Sequence, residues 1–230
     1  MNDRPKILVV DDEAQILRAL RVILRDAGFE ALPAGSVEEA LDHAAVHGPA
    51  AAIVDLLLPD GDGVELCRRL REWTQMPVIV LSAVGEEEAK VRALAAGADD
   101  YVTKPFGPRE LVARLAANLR RTAAGATPEA VLAAGDLTID LARHRVLRAG
   151  AEIHLTPTEF NLLSTLAANR GRLLTHRELL SAVWGAGYAD DTQVLRAHIA
   201  NLRRKIAPPD GAEEARLIRT ESGVGYRFAP

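Results

Sequence analysis

Five polar residues in the first half of the chain lie where short apolar runs end. They are Asp11, Asp12, Asp55, Ser82 and Lys104. Carboxylates crowded together repel one another unless a cation lies among them, and hard oxygen ligands with few protein contacts suit Mg²⁺. A lysine and a serine hydroxyl can both bind phosphoryl oxygens. Because no histidine–serine base and nucleophile pair is evident, Asp55 is the best candidate for a nucleophile.

The elements that must position these residues alternate between strands and helices. Short apolar runs predict strands at 6–10, 50–54, 77–81 and 100–103. Apolar spacing, capping residues and stop signals predict helices from about 16 to 28, 36–47, 63–72, 86–96 and 107–121. This alternation predicts a parallel sheet with helices on both faces, whose ligands bind at the carboxyl ends of the strands. Each of the five residues alone is more often a turn, a cap or a surface residue, and their joint placement indicates a site.

Four stretches of this half resemble the receiver domain of two-component response regulators. They are VVDDE at 9–13, VDLLLPDGDG at 54–63, VLSA at 80–83 and ADDYVTKPF at 98–106. The resemblance covers 4–121 and implies an α/β receiver with a five-stranded, flavodoxin-like parallel sheet, phosphorylated on Asp55 by a sensor histidine kinase. The implied site comprises the Mg²⁺ ligands Asp11, Asp12, Asp55 and the backbone carbonyl of Leu57, the phosphoryl-binding Ser82 and Lys104, and the aromatic switch Tyr101.

Two other interpretations of this half are weaker. The DGDG segment at 60–63 resembles the start of a calcium loop, but it lacks the third acidic ligand and the distal glutamate, so a turn is favoured. A haloacid-dehalogenase-type phosphatase also uses an aspartate nucleophile, with a second aspartate two residues later. Leu57 occupies that place here, which excludes this class of enzyme.

The charge of the chain divides unevenly between its halves. The net charge of −4 argues against a uniformly basic surface for nucleic acid. Residues 1–121 hold 15 basic and 20 acidic residues, a net of −5, and residues 122–230 hold 13 and 12, a net of +1. The segment TAAGATPE predicts a linker over 122–130 between domains at 1–121 and 131–230. A lone cysteine, Cys67, excludes an intramolecular disulfide, and the absence of a signal or membrane segment leads us to expect a cytoplasmic protein.

The second half predicts a winged helix-turn-helix. Strands are expected at 132–140, 143–148 and 151–155. Capping boxes at Thr156/Glu159 and Thr175/Glu178 begin two helices, and Asp190 or Asp191 caps a third that runs to about 206. A hairpin with strands at 216–220 and 225–228 completes the pattern of three helices followed by a wing.

The third of these helices carries a basic stripe between Thr192 and Lys205 with no acidic residue. A charge run alone is most often a solvated helix face. Within this order of elements, DNA is favoured, because such helices place polar side chains in the major groove, where arginine reads guanine and asparagine reads adenine.

The same half resembles the effector domain of OmpR/PhoB-type response regulators. The matching stretches are LTPTEFNLL at 155–163, LLTHRELLSAVWG at 173–185, HIANLRRKI at 198–206 and GVGYRF at 223–228. Asn201 and Ser222 stand where many relatives carry arginine, so base readout should differ from theirs. The chain looks most like the sub-family that regulates potassium-uptake (Kdp) operons. The implied DNA-binding residues are Arg196, His198, Asn201, Arg203, Arg204, Lys205, Thr175, Arg177, Tyr226 and Arg227. Of these, Thr175, Arg177, Tyr226 and Arg227 are expected to contact the DNA backbone or to support the fold, and the same is expected of Trp184.

Together the two resemblances imply a phosphorylation-switched transcription factor rather than an enzyme. Its expected partners are double-stranded DNA, a sensor histidine kinase, RNA polymerase and, after phosphorylation, a second copy of the chain. The expected dimer face pairs Lys90 with Glu110 and Asp100 with Arg114 around Ala93, Leu94 and Val112. Two alternatives stay open: a phosphorylation-independent DNA-binding protein with a vestigial receiver, and a metal-dependent phosphatase, for which no substrate pocket is evident.

Overall fold

The computed structural model describes residues 4–83, 87–123, 131–185, 188, 191–207 and 217–229. The chain divides into two compact units, Met1–Thr122 and Ala123–Pro230. The helix at the boundary between the units spans Pro108–Ala123, so it runs slightly beyond the predicted domain end at 121. The rest of the predicted linker, 124–130, lies outside the described residues.

The first unit is built on a five-stranded parallel sheet, as predicted. The strand order is β2-β1-β3-β6-β7, and a small hairpin of β4 and β5 follows β3. The elements are β1 (Lys6–Val10), α1 (Ala14–Asp26), β2 (Glu30–Ala34), α2 (Val37–His47), β3 (Ala51–Asp55), β4 (Leu57–Leu58), β5 (Gly61–Asp62), α3 (Gly63–Arg71), β6 (Val78–Ala83), α4 (Glu87–Ala95), β7 (Asp100–Lys104) and α5 (Pro108–Ala123).

Both faces of this sheet are covered. On one face, Ile7 and Val9 of β1 pack in a cluster with Leu20 of α1 and Leu111 of α5. The alternate residues of β1 point to the other face and are equally buried, as Leu8 illustrates. Burial on both faces explains why the central strands appear in the sequence as continuous apolar runs.

The second strand, β2, was not located from the residue pattern. Its sequence, EALPA, has no β-branched residue and contains Pro33. Proline cannot donate to a strand ladder, and it is tolerated here because β2 lies at the edge of the sheet and pairs with β1 alone. Strand order therefore reverses around β1, which places a ligand crevice at the carboxyl ends of β1 and β3.

The second unit has the predicted winged helix-turn-helix architecture. A four-stranded antiparallel sheet, in the order β11-β10-β9-β8, precedes three helices, and a three-stranded sheet, β12-β14-β13, forms the wing. The elements are β8 (Val131–Ala134), β9 (Leu137–Asp140), β10 (Arg145–Arg148), β11 (Ala151–Ile153), α6 (Pro157–Ala168), β12 (Leu173–Thr175), α7 (His176–Val183), α8 (Thr192–Ile206), β13 (Ile218–Glu221) and β14 (Gly225–Phe228).

One strand prediction in this unit was wrong, and one strand was not predicted. The single strand expected at 132–140 is two strands, β8 and β9, separated by a turn in which Gly135 has a φ of 62°, a value that favours glycine. The short strand β12 was not predicted, and it forms by pairing with β14, more than fifty residues away. The predicted cap at Asp190 and the predicted strand start at 216 lie outside the described residues.

Both predicted capping boxes are present. Thr156 accepts a hydrogen bond from the Glu159 amide while the Glu159 carboxylate accepts one from the Thr156 amide, and Thr175 and Glu178 repeat the arrangement. Each box satisfies amides that the first helical turn leaves without partners, so local sequence fixes where α6 and α7 begin.

Candidate functional site

Three carboxylates meet at the carboxyl ends of the neighbouring strands β1 and β3. Ligand atoms of Asp11, Asp12 and Asp55 all lie within 4.8 Å of one another. Asp11 is fully buried, Asp55 is nearly so, and Asp12 is exposed to solvent. An all-oxygen set with one open side fits a hard divalent cation that keeps part of its water shell, and Mg²⁺ has this preference.

Lys104, at the end of β7, reaches across the sheet edge into this cluster. Its Nζ donates a hydrogen bond to Asp11 Oδ2 at 2.9 Å and lies 3.1 Å from Asp55 Oδ1. The lysine compensates one charge of a group of three carboxylates. The remaining negative charge favours a bound cation.

The protonation equilibria of the cluster reflect burial and this ion pair. Burial raises the pKa of Asp55 above its ordinary value, and the hydrogen bond and charge of Lys104 only partly oppose that effect. For Lys104, burial alone would lower the pKa, but the hydrogen bonds and charges of Asp11 and Asp55 outweigh it, so that the pKa of Lys104 is raised. The ammonium form of Lys104 is therefore strongly favoured, as phosphoryl binding requires.

Ser82 lies at the end of β6, between β3 and β7. Its side chain is buried, and its Oγ has no hydrogen-bond partner among the residues that the structure describes. A buried hydroxyl without a partner carries a desolvation cost that an incoming acceptor would relieve. This unsatisfied hydroxyl fits the predicted phosphoryl-binding role of Ser82.

Tyr101 and Leu57 flank this region. Tyr101 of β7 is half-buried, and Lys90 Nζ of α4 lies 4.9 Å from the centre of its ring, a cation–π arrangement. Leu57, in β4, has 68% of its surface exposed. It lines a cavity of about 540 Å³ that includes Asp12 and Asp55.

The DGDG segment is only in part the predicted turn: Asp60 lies in the turn, Gly61 and Asp62 form β5, and Gly63 begins α3. The segment supports the site. Gly63 cannot be replaced without strain, because a Cβ there would collide with the backbone carbonyl of Asp55. Asp62 caps α3 by accepting the Val64 amide at 2.8 Å, and Asp60 accepts the Val37 amide at 2.8 Å at the start of α2. Sequence reasoning missed two further charged residues that line the cavity, Glu13 and Arg92.

Fewer residues are exposed on α8 than were predicted to bind DNA there. Arg196, Ala200 and Arg204, spaced by four residues, are exposed. His198 and Asn201, predicted to contact DNA, are 1% and 3% exposed, and His198 packs against the Trp184 ring at 5.3 Å. Their prediction as DNA-binding residues does not agree with this structure, because both side chains are buried in the domain core.

Other predicted DNA contacts also take part in packing within the domain. Lys205 Nζ donates to the buried Glu159 carboxylate at 2.7 Å, and Arg203 donates to Ile218 O and Thr220 Oγ1, both at 2.7 Å. Tyr226 is 5% exposed, with a pKa raised mainly by burial, and is part of the scaffold rather than the surface. Of the remaining predicted contacts, Arg177 is exposed, Thr175 caps α7, and Arg227 bonds to Gly171 O and Glu221.

The predicted dimer face is only partly exposed. Ala93 and Leu94 are 0% and 1% exposed, so they belong to the core and cannot form the expected apolar patch. Val91, two positions before Ala93, is 41% exposed, and Val112 is partly exposed. The four charged residues of this face have partners within the chain: Arg114 pairs with Asp100 at 3.1 Å and with Glu110 at 3.0 Å, and Lys90 lies over Tyr101.

Comparison with known families identifies both units. Residues 7–116 match the family described as "Response regulator receiver domain", and residues 150–228 match "Transcriptional regulatory protein, C terminal". The chain is 50% identical over 223 residues to the transcriptional regulatory protein KdpE of Mycobacterium tuberculosis, covering 96% of this chain and 98% of that one. The chain belongs to the OmpR/PhoB-type response regulators. This family comprises DNA-binding transcriptional regulators, not enzymes.

Two further relatives support the family assignment, and each aligns with nearly the whole length of this chain. The KDP operon transcriptional regulatory protein KdpE of Escherichia coli is 46% identical over 222 residues, covering 96% of this chain and 98% of that one. The crystal structure of DrrB, an OmpR/PhoB homologue from Thermotoga maritima, aligns with a TM-score of 0.52 at 33% identity and covers 99% of this chain and all of that one. Within the described residues, no helix combines the length and apolar character that crossing a membrane requires.

Proposed function

We propose that this response regulator is switched by phosphorylation of Asp55 by a sensor histidine kinase. The observation that carries the proposal is the arrangement around Asp55: two further carboxylates within 4.8 Å, Lys104 at 3.1 Å, and the unpartnered hydroxyl of Ser82 at the neighbouring strand end. Asp55 Oδ would attack the phosphorus of a phosphohistidine, and the imidazole would leave with the electrons of the broken P–N bond.

Each neighbour of Asp55 has a chemical part in this transfer. Asp11, Asp12, Asp55 and the backbone carbonyl of Leu57 would hold Mg²⁺, which supplies charge neutralisation for the transferring phosphoryl group. Lys104 presents a positive charge to the phosphoryl oxygens, and the Ser82 hydroxyl donates a hydrogen bond to one of them. The partly buried ion pair between Lys104 and Asp11 would keep the ammonium in place before the phosphate arrives.

In the second step, the phosphorylated receiver dimerises through α4, β7 and α5. Movement of Ser82 toward the phosphate and an inward turn of Tyr101 would reshape this face. Two linked effector domains then bind a pair of direct half-sites, because binding of the first raises the effective concentration of the second. RNA polymerase is the expected downstream partner.

For DNA contact, we infer a reading surface centred on the exposed residues of α8. Arg196 and Arg204 present guanidinium groups to the major groove, and Ala200 between them leaves room for a base edge or a thymine methyl group. The relatives named KdpE favour a potassium-uptake operon as the target.

The phosphorylation switch is tested by the variant Asp55→Asn. We expect acetyl phosphate with Mg²⁺ to raise the affinity of the parent chain for a two-half-site duplex by at least about tenfold, and to leave Asp55→Asn unchanged. The matched control is Asp60→Asn, since Asp60 is a neighbouring acid that caps α2 and lies outside the carboxylate cluster. Equal DNA binding by the parent and Asp55→Asn under both conditions would support the alternative of a vestigial receiver.

A further inference from the structure

The cavity beside Asp55 is lined by one cation for which the phosphotransfer proposed above has no role. Among the described residues that line it, Arg92 of α4 is the only basic residue, and it lies there with four acidic ones. The four are Asp12, Glu13, Asp55 and Asp62. Lys104 pairs with Asp11 and Asp55 at the edge of the sheet, whereas Arg92 reaches the cavity from α4, the helix that precedes β7.

The present partner of Arg92 holds it weakly. Its Nη1 lies 3.6 Å from Asp62 Oδ2, and the two side chains are 63% and 45% exposed. An ion pair this long and this exposed contributes at most about 1 kcal/mol. Asp62 stays anchored without Arg92, because its Oδ1 accepts the Val64 amide at the start of α3. Arg92 can therefore leave Asp62 at little cost to either group.

We propose that Arg92 exchanges Asp62 for the phosphoryl group on Asp55 and so acts as a positioning residue that ties α4 to the phosphorylated state. The proposal rests on phosphorylation of Asp55, as proposed above. A phosphoryl group brings roughly −1.5 to −2 charges and three acceptor oxygens into the cavity. The planar guanidinium can donate two parallel hydrogen bonds to two phosphoryl oxygens, a stronger interaction than its present one with a single distant carboxylate oxygen.

This exchange would give the phosphate a direct connection to the outer face of α4. Arg92 lies next to Ala93 and Leu94, which are buried, and next to Val91, which is 41% exposed. Lys90 of the same turn lies over Tyr101. A movement of Arg92 toward the phosphate would therefore shift α4, the helix that also carries Lys90, which lies over Tyr101, and the exposed Val91 of the proposed dimer face.

The test is a calorimetric titration of the full chain with beryllium trifluoride, a phosphoryl mimic, at saturating Mg²⁺. We expect Arg92→Gln to weaken binding about fivefold, the factor that corresponds to 1 kcal/mol, and Arg92→Lys to recover part of the loss. The matched control is Arg68→Gln. Arg68 lines the adjacent groove with Arg92 and Asp62, pairs with Glu65, and does not line the phosphoryl cavity, so its loss should leave binding unchanged.

A double-mutant cycle separates partner exchange from a general charge effect. Asp62→Asn keeps the helix cap, because asparagine caps as well as aspartate, and it frees Arg92. Binding of the mimic should therefore strengthen in the parent background more than in the Arg92→Gln background. The proposal would be overturned if Asp62→Asn raised the affinity for the mimic equally in both backgrounds. It would also be overturned if Arg68→Gln and Arg92→Gln lowered that affinity equally. A parent chain that does not bind the mimic would instead contradict phosphorylation of Asp55, on which the proposal rests.

Discussion

At the scale of single residues, the cluster of Asp11, Asp12 and Asp55 concentrates negative charge at a cost in stability. Asp11 and Asp55 are buried beside each other, and Asp12 lies within 4.8 Å of both. Lys104 compensates only part of this charge. Buried groups that repel one another cost folding free energy, and proteins retain such clusters where a ligand needs them. A cation that binds the folded chain and not the unfolded one should therefore stabilise this protein.

The first prediction concerns Mg²⁺ and Asp12. In urea unfolding, 10 mM MgCl₂ should raise the free energy of unfolding of the parent chain, by about 2.7 kcal/mol if the ion is present at one hundred times its dissociation constant. Asp12→Asn should remove most of this increase. Without Mg²⁺ the variant should be at least as stable as the parent, because a repelling carboxylate is gone.

The control for this prediction is Asp60→Asn, measured in the same two buffers. Asp60 accepts the Val37 and Glu38 amides at 2.8 and 3.2 Å, and these bonds hold its pKa below the usual range. Its loss should lower stability equally with and without Mg²⁺, since Asp60 lies outside the cluster. A Mg²⁺ increment that survives in Asp12→Asn would contradict the assignment of Asp12 as a ligand.

At the scale of secondary-structure elements, α8 shows what helical spacing can and cannot predict. The apolar stripe Val194, Leu195, Ile199 and Leu202 predicted a buried face, and these residues are buried. His198 and Asn201 extend that stripe at positions i+4 and i+7 from Val194, so the geometry of a helix already placed them inward. Their polar side chains suggested DNA contact instead. Spacing was the better guide, because a helix cannot turn single residues outward.

The second prediction therefore separates DNA affinity from stability along α8. Arg196→Ala should weaken binding to an operator duplex by about 1–3 kcal/mol and leave the free energy of unfolding within about 0.5 kcal/mol of the parent. Arg204→Ala should weaken DNA binding by a similar amount but also lower stability, because Arg204 Nη2 donates a hydrogen bond to Oδ1 of the buried Asn201 at 3.0 Å. His198→Ala should lower the free energy of unfolding, because it opens a space beside Trp184, and it should leave the affinity for DNA unchanged. Electrophoretic mobility shifts and thermal unfolding check the two effects. Normal stability with weakened DNA binding in His198→Ala would contradict the inward placement.

The convergence of the carboxylate cluster and Lys104 was predictable from sequence to a greater extent than the elements around them. Parallel strands end at a common edge, so residues at strand ends must converge once the strands are located, and Asp55 and Lys104 do so. Arg92 could not be found this way. Its place in the cavity depends on how α4 lies against α3 and the β4–β5 hairpin, which no local pattern specifies. Likewise, β12 exists only through pairing with β14.

At the scale of the whole molecule, two units of opposite character share one chain. The receiver is acidic overall, and the effector domain carries exposed arginines on α8. The proposed switch, which joins two such chains, would change DNA affinity without altering any contact to DNA, because the second effector domain would be held near its half-site. Dimerisation and single-site binding should therefore be separable by mutation.

The last prediction uses Val91 to separate them. Val91→Asp places a charge on the exposed face of α4, where the proposed dimer would bury it, so dimerisation in the presence of beryllium trifluoride should weaken by at least about tenfold in sedimentation equilibrium. Binding to a duplex with a single half-site should be unchanged, and the gain on a duplex with two half-sites should disappear. Val46→Asp is the control, because Val46 is 75% exposed on α2, outside the proposed face. If Val91→Asp keeps the higher affinity for two half-sites while Val46→Asp loses it, the dimer contact lies on another face of the receiver. The two DNA-binding domains would then be joined through that face, which includes α2, and not through α4.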